Sequence, residues 1–416
     1  MKTLTEISSP NEVSFAPYSD AYADDPYRQY ASLRALPDPY YFEDFDGWIF
    51  SHYQDIRTLA TNANMVRSTE PFMSAEERTA EQRRKNWHDM PNHERLIQVN
   101  LLDSDGADHM RLRKLVFGMF TNRYVERHRE MIQAYADRLL NPLLDQREFD
   151  FTGDLAVHVP GHIIGNVLGV PDEDCPQLRI WSEDVVQFFD FNRTAEDKAR
   201  AERATTEFDD YLKDLIKTRR AAPKEDLLST LIEAQDAGKL SETELVATAM
   251  LILMAGHGST IDVMGSGLHA LLTHPEQHAK LRTNPTLIPT AIQEMFRYDT
   301  PLPFFHRYAA DDIDLCGYRI PKGAKVGLLY ASGNHDPAAF DQPQRFDITR
   351  APNRHLSFGQ GAHLCLGNNL SRLDMEVLFE TLLRRTGSIE ISGPAPFKKG
   401  LTIRGPETLP IRVSPA

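Results

Sequence analysis

Cys365 closes a glycine-rich run, Phe358-Gly-Gln-Gly-Ala-His-Leu-Cys-Leu-Gly367, ahead of a helical pattern carried by Leu370, Leu373, Val377 and Leu378. A lone cysteine is most often a small buried hydrophobe. This one stands just before a helix N-terminus, where orphan N–H groups and the macrodipole favour a thiolate. Gly359, Gly361 and Gly367 let the backbone pass close to something large and flat. One thiolate without a convergent Cys/His set is poor zinc chemistry, but it suits a single axial bond to haem iron.

Other residues carry chemistry by their spacing. Glu294 and Arg297 stand at i,i+3, which puts carboxylate and guanidinium on one helix face; alone, such a pair is a surface contact worth roughly a few tenths of a kcal/mol. His109 and Arg113 are i,i+4 neighbours. Ala255-Gly-His-Gly-Ser-Thr260 lies in the middle of an apolar helix, where each glycine costs roughly 1 kcal/mol relative to alanine. Two uses account for these glycines: a close helix crossing, or a groove over a ligand in which Ser and Thr hydroxyls compete for backbone bonds.

The elements that must position these residues are mostly helical. A capping box at Ser241-Glu-Thr-Glu244 starts a helix expected to run to about Thr273, and its first half is apolar nearly all round, so it must be buried. Residues 108–300 read as helices punctuated by Pro142, Pro171, Pro223 and Pro275 and closed by Pro301. Residues 25–36 read as a helix, and residues 47–53, 325–330 and 401–404 as strand-like pieces. Residues 65–101 form a polar stretch broken by Pro71 and Pro91, and loops of that length are usually functional or disordered. The expected fold is mainly α with a smaller β part built from both ends of the chain, and no repeat or linker forces a domain boundary.

Composition narrows the class. The chain is 41% hydrophobic and 25% charged, ordinary for a globular protein, which rules out a mostly disordered or fibrous chain. Its 60 acidic against 46 basic side chains give a formal charge of −14, which argues against nucleic acid or an anionic membrane as main partner. Cys175, Cys316 and Cys365 are too few and scattered for a disulfide scaffold. No N-terminal run suits a signal peptide, and the longest apolar stretch, near residues 245–255, is short of a bilayer span. The expectation is a soluble, unanchored, cytoplasmic protein.

Taken together, these residues resemble the cytochrome P450 superfamily, whose haem-loop signature Phe-Gly-x-Gly-x-His-x-Cys-x-Gly is matched by residues 358–367 at all six fixed positions. The resemblance extends from Asp25-Pro-Tyr27 and Gly47-Trp48 to Arg404-Gly-Pro and Leu409-Pro-Ile. It implies a single domain over residues 1–416, a helical triangular prism with a small β-rich region, holding haem b. Cys365 becomes the one protein ligand of the iron. By the same resemblance, His109, Arg113, Arg307 and His363 pair with the haem propionates, and Phe358, Gly359, Ala255 and Gly256 lie against the ring. Glu294, Arg297 and a third member, Arg345, support the haem side of the fold. The substrate pocket draws on the loop of residues 72–102, including Phe72, and on Leu251, Ala255, Phe304, Phe305, Thr402 and Ile403. Arg83, Arg84, Lys85 and His88 in that loop read first as a solvated charge run.

The implied activity is insertion of one oxygen atom of O2 into a small organic substrate, by hydroxylation or O-dealkylation. A thiolate ligand pushes electron density toward O–O cleavage. No part of the chain resembles a flavin or iron–sulfur domain, so electrons come from separate proteins, most simply a ferredoxin and its reductase. Because that donor is acidic, a local basic patch of Arg111, Lys114 and Arg372 is the expected docking surface. The chain departs from the family at one place. Where the family carries an acid ahead of its alcohol, this chain has Gly258, leaving Ser259, assisted by Thr260, as the catalytic hydroxyls; His257 and Asp262 are poor replacements for the acid. Two alternatives follow: a haem-thiolate enzyme that bypasses dioxygen activation, using peroxide or reducing nitric oxide, and a non-catalytic haem sensor.

Overall fold

The computed structural model describes residues 1–7, 13–98 and 100–416; Val99, in the expected pocket loop, lies outside them. Two compact units emerge. One comprises Met1–Met65, Val125–Val159 and Ser259–Ala416, the other Val66–Tyr124 and Pro160–Gly258.

The first unit holds the sheets and the cysteine loop. Tyr40–Phe42, Gly47–Phe50, Lys325–Leu328 and Phe305–Ala309 lie side by side in one sheet. Trp48 pairs in parallel with Val326, and Arg307 pairs antiparallel with the same residue. One face of this sheet packs on Leu4, Ile56, Leu59 and Tyr330. The helix Pro26–Arg34 starts at Pro26 because Asp25 caps it, accepting from Tyr27 N at 3.1 Å. The helix Arg129–Gln146 packs beside Asn368–Arg385 and carries Pro142 in its interior, so that proline does not end a helix as expected; Leu140 and Leu143, buried on either side of it, hold the last turns in place. Residues 401–404 form bends rather than a strand, set between the bridge partners Phe397 and Pro406.

The second unit is built of helices, chiefly Gly106–Phe117, Cys175–Gln187, Ala195–Ala221 and Glu242–Ala255. The polar stretch before residue 101 is partly helical, because Ser74 and Glu77 form a capping box that starts Ala75–Arg84, and Pro91 begins Pro91–Leu96. Within it Glu81 takes both Arg84 and Lys85 at 2.7 Å. The capping box at Ser241 and Glu244 is formed as read, and residues 245–254 are all buried. The helix does not run unbroken to Thr273. It stops at Ala255, and a new helix, Gly258–Thr273, begins after one turn. The stretch Glu242–Thr273 is long and apolar enough to cross a membrane, but 78% of its most apolar window is buried inside the protein.

Candidate functional site

The Cys365 loop is shaped by its glycines. Gly359 (φ 68°) and Gly361 (φ 73°) occupy the left-handed region, and a Cβ on Gly361 would lie 2.6 Å from the carbonyl oxygen of Ala60. The loop folds back so that Cys365 N donates to the Phe358 carbonyl at 2.8 Å. Asn368 Nδ2 then donates to the Cys365 carbonyl at 2.6 Å, and the helix Asn368–Arg385 begins there. Cys365 thus sits at the positive end of a helix dipole, partly exposed. The other thiols differ: burial pushes Cys175 and Cys316 up to about 12, with nearby acids adding to the effect, so neither offers a thiolate.

Tyr330 joins this loop to the sheet, standing against Gly359 on one side and 6.4 Å from the Phe305 ring on the other. The same strand carries Arg307, 3% exposed, whose Nη1 donates to the His306 carbonyl at 2.8 Å. His363 ends the short turn Gly361–His363. A single sulfur donor, a left-handed glycine cradle and a buried guanidinium fit a haem with its propionates. In the helical unit, His109 is 3% exposed on Gly106–Phe117 and Arg113 is half-buried on the same helix. The turn into that helix is fixed by Asp105, whose carboxylate accepts Arg67 N at 2.8 Å and Ser68 N at 2.7 Å.

The interrupted helix separates the two uses of glycine. A Cβ on Gly256 would lie 2.7 Å from Ile164, so this glycine serves a close helix crossing. A Cβ on Gly258 would meet nothing within 4 Å, so its absence has no packing reason in the chain. His257 turns toward Gly161, and its Nδ1 donates to the Leu253 carbonyl that the helix break leaves over; burial lowers it to about 4. Asp262 is buried against Lys398 Nζ at 2.6 Å. Both side chains are thus engaged within the chain. Ser259 Oγ makes no hydrogen bond among the described residues. Thr260 Oγ1, in contrast, lies 3.0 Å from Ser371 Oγ on the cysteine-side helix.

Glu294 and Arg297 are both fully buried and bidentate, with Nε and Nη2 each 2.8 Å from a carboxylate oxygen. The third member is Arg350 rather than Arg345. Arg350 Nε lies 3.1 Å from Glu294 Oε2, whereas exposed Arg345 offers only its carbonyl, to Arg297 Nη2 at 3.1 Å. Asn353 Nδ2 and Asp347 N complete the carboxylate's donors at 3.0 and 2.9 Å.

Of the expected pocket residues, Phe304 packs edge-on to Phe45 with centroids 4.9 Å apart and covers Gly327, which places its ring in the sheet packing. Phe305 is half-buried on the Tyr330 side. Thr402 and Ile403 are half-buried and held beside that segment by Arg404 N, which donates to Pro301 O at 2.8 Å. In the helical unit, Leu251 is buried and Phe72 half-buried. The three residues of the expected basic patch differ in their surroundings. Arg111 is taken by Glu244 at 2.5 Å and Asp108 at 3.1 Å, and half-buried Arg372 lies over Phe358. Lys114 stays exposed, between Met110 and Phe117, which are 64% and 54% exposed on the same helix.

Comparison with known proteins agrees with this geometry. The cytochrome P450 family model matches residues 176–387. The chain is 34% identical over 377 residues to the biotin biosynthesis cytochrome P450 of Bacillus subtilis (strain 168), covering 90% of this chain and 92% of that one. It is 33% identical over 402 residues to the 6-deoxyerythronolide B hydroxylase of Saccharopolyspora erythraea, covering 95% and 98% respectively. The crystal structure of P450BioI in complex with hexadec-9Z-enoic acid ligated acyl carrier protein has a TM-score of 0.88 and 32% identity, over 95% of this chain and 100% of that one. With likeness of this degree along nearly its whole length, the chain belongs to the cytochrome P450 superfamily and is a haem-thiolate monooxygenase.

Proposed function

We propose that residues 1–416 act as one haem-thiolate domain, cytoplasmic, which inserts one oxygen atom of O2 into a small organic substrate by hydroxylation or O-dealkylation. Haem b bound at Cys365 supplies dioxygen activation, with two electrons and two protons delivered in each cycle. The observation that carries the reading is the Cys365 loop, with its left-handed glycines, its tied carbonyl and its helix N-terminus. Arg307 and His363 hold propionate charge, and Phe358 and Gly359 are the apolar and glycine surfaces for the ring; His109, Arg113, Ala255 and Gly256 take their haem-binding roles from the family resemblance alone. Ser259 carries the proton path, since its hydroxyl has no other hydrogen bond among the described residues. Phe305, Thr402 and Ile403 face the substrate, and Phe72 and Leu251 take that role from the family resemblance alone.

Electrons come from a ferredoxin and its reductase. The docking surface is the exposed stripe Met110, Lys114 and Phe117, at i, i+4 and i+7, where Lys114 makes no ion pair among the described residues.

A second reading, peroxide-driven oxidation or nitric oxide reduction, is favoured by one observation: Asp262, the only carboxylate in residues 255–262, is committed to Lys398. Turnover with O2 and a ferredoxin pair, compared with peroxide and with nitric oxide plus NADH, decides between them. Cys365→Ser abolishes the strongly red-shifted Soret band of the reduced carbonyl complex; a variant that keeps the band overturns the ligand assignment.

A further inference from the structure

A closed circuit surrounds the Cys365 backbone. Cys365 N donates to the Phe358 carbonyl at 2.8 Å, and Asn368 Nδ2 donates to the Cys365 carbonyl at 2.6 Å. Arg372 Nη1 donates to Asn368 Oδ1 at 2.8 Å, and the Arg372 guanidinium carbon lies 4.6 Å from the Phe358 ring centroid, which closes the loop. The Phe358 ring is backed by Phe296 at 4.5 Å.

Arg372 is unusual for what it does not pair with. The carboxylate one turn on, Glu376, is held by Arg129 at 3.0 Å, and Arg372 makes no ion pair among the described residues. Its Nε is buried and makes no hydrogen bond among them. Burial lowers its affinity for the proton, and the charges of Cys365 and Glu376 oppose that effect. A half-buried cation without a carboxylate partner is costly unless a negative charge stands nearby. The Cys365 thiolate, first, and then Glu376 are the charges that act on it.

We propose that Arg372 is a positioning residue for the iron-ligating thiolate: acting through Asn368 and Phe358, it holds the Cys365 backbone in place and sets how strongly the sulfur donates to the metal. The proposal rests on the haem-thiolate reading. Asn368, polarised by the guanidinium, binds the Cys365 carbonyl more tightly, and the cation's field favours the more negative, ferrous state.

Spectroelectrochemical titration of the ferric/ferrous couple tests this, with haem content and the reduced carbonyl band measured on the same samples. Arg372→Gln moves the one-electron equilibrium about tenfold toward ferric, which is about 59 mV. Arg372→Lys, which keeps the charge, restores at least half of that shift. Asn368→Ala moves the equilibrium the same way by a smaller factor, and the double variant shifts it by less than the sum of the two. A purely structural arginine would instead lower haem content and leave the midpoint of the loaded fraction in place. A midpoint within about twofold of the parent in Arg372→Gln overturns the proposal, as does a Lys variant no better than Gln. If Arg372→Gln does not fold, an unchanged midpoint in Asn368→Ala overturns it. A parent protein without the red-shifted carbonyl band overturns the haem-thiolate reading itself, so the two failures are told apart.

Discussion

Arg350 Nε reaches the Glu294 carboxylate at 3.1 Å, although 56 residues separate them in sequence. Because Glu294 and Arg297 are fully buried, removing one partner leaves an uncompensated charge. Glu294→Gln is expected to cost about 3 to 5 kcal/mol in urea unfolding. Arg350→Ala costs about 2 kcal/mol, the loss of a hydrogen bond to a charged group, and Arg345→Ala stays within about 0.5 kcal/mol of the parent. Equal effects at positions 345 and 350 would return the role to Arg345.

Ser259→Ala is expected to uncouple the enzyme, with NADH consumed and peroxide released, and product per NADH falling at least about tenfold. Gly258→Asp keeps haem content, because a Cβ there meets nothing of the chain within 4 Å, and raises O2-driven turnover if proton delivery limits the rate. Full coupling in Ser259→Ala would shift the balance to the peroxide or nitric oxide reading.

On the docking helix, Lys114→Glu with Phe117→Ser should slow iron reduction by ferredoxin about tenfold at low salt and leave substrate affinity unchanged. Arg111→Glu acts differently: it breaks the contact with Glu244 and lowers unfolding stability. Stopped-flow reduction and urea titration separate the two effects. A reduction rate that ignores the Lys114 and Phe117 changes removes this surface.

His93, His335 and His355 are held down to about 3, each chiefly by burial. Below the ordinary imidazole value of about 6.5, the unfolded chain binds these protons and the folded chain does not, so stability falls as pH falls from there toward about 3. Each histidine contributes a slope of up to about 1.4 kcal/mol per pH unit in that window. His335→Phe should flatten the profile measured by urea unfolding from pH 7 to pH 4; an unchanged slope removes His335 from the account.

The cysteine loop and the buried Glu294–Arg297 pair were legible because motif and helix spacing fix them locally. Arg350 was missed because Pro343-Gln-Arg345-Phe offered a nearer arginine. Arg350 lies past a turn in which its N donates to the Asp347 carbonyl at 3.0 Å, and no periodicity of the sequence announces that placement. The Ser74–Glu77 capping box would have revealed a helix in the polar stretch. Capture of Arg111 by Glu244 joins residues 133 positions apart, and no local pattern announces it. The break at Gly256 was half visible: the glycines marked the place, but the imidazole that takes over the Leu253 carbonyl is a matter of three-dimensional rotamer choice.

The glycines of the site are not equally fixed by the chain, and this bears on what the gene can tolerate. At Gly256, Gly359 and Gly361 a side chain meets either a neighbour or a left-handed backbone, so folding alone removes most substitutions. At Gly258 and Gly367 a methyl meets no atom of the chain within 4 Å and φ lies outside the left-handed region. A library selected only for soluble expression will therefore fill those two positions freely, and whatever narrows the choice there comes from selection for activity rather than from folding.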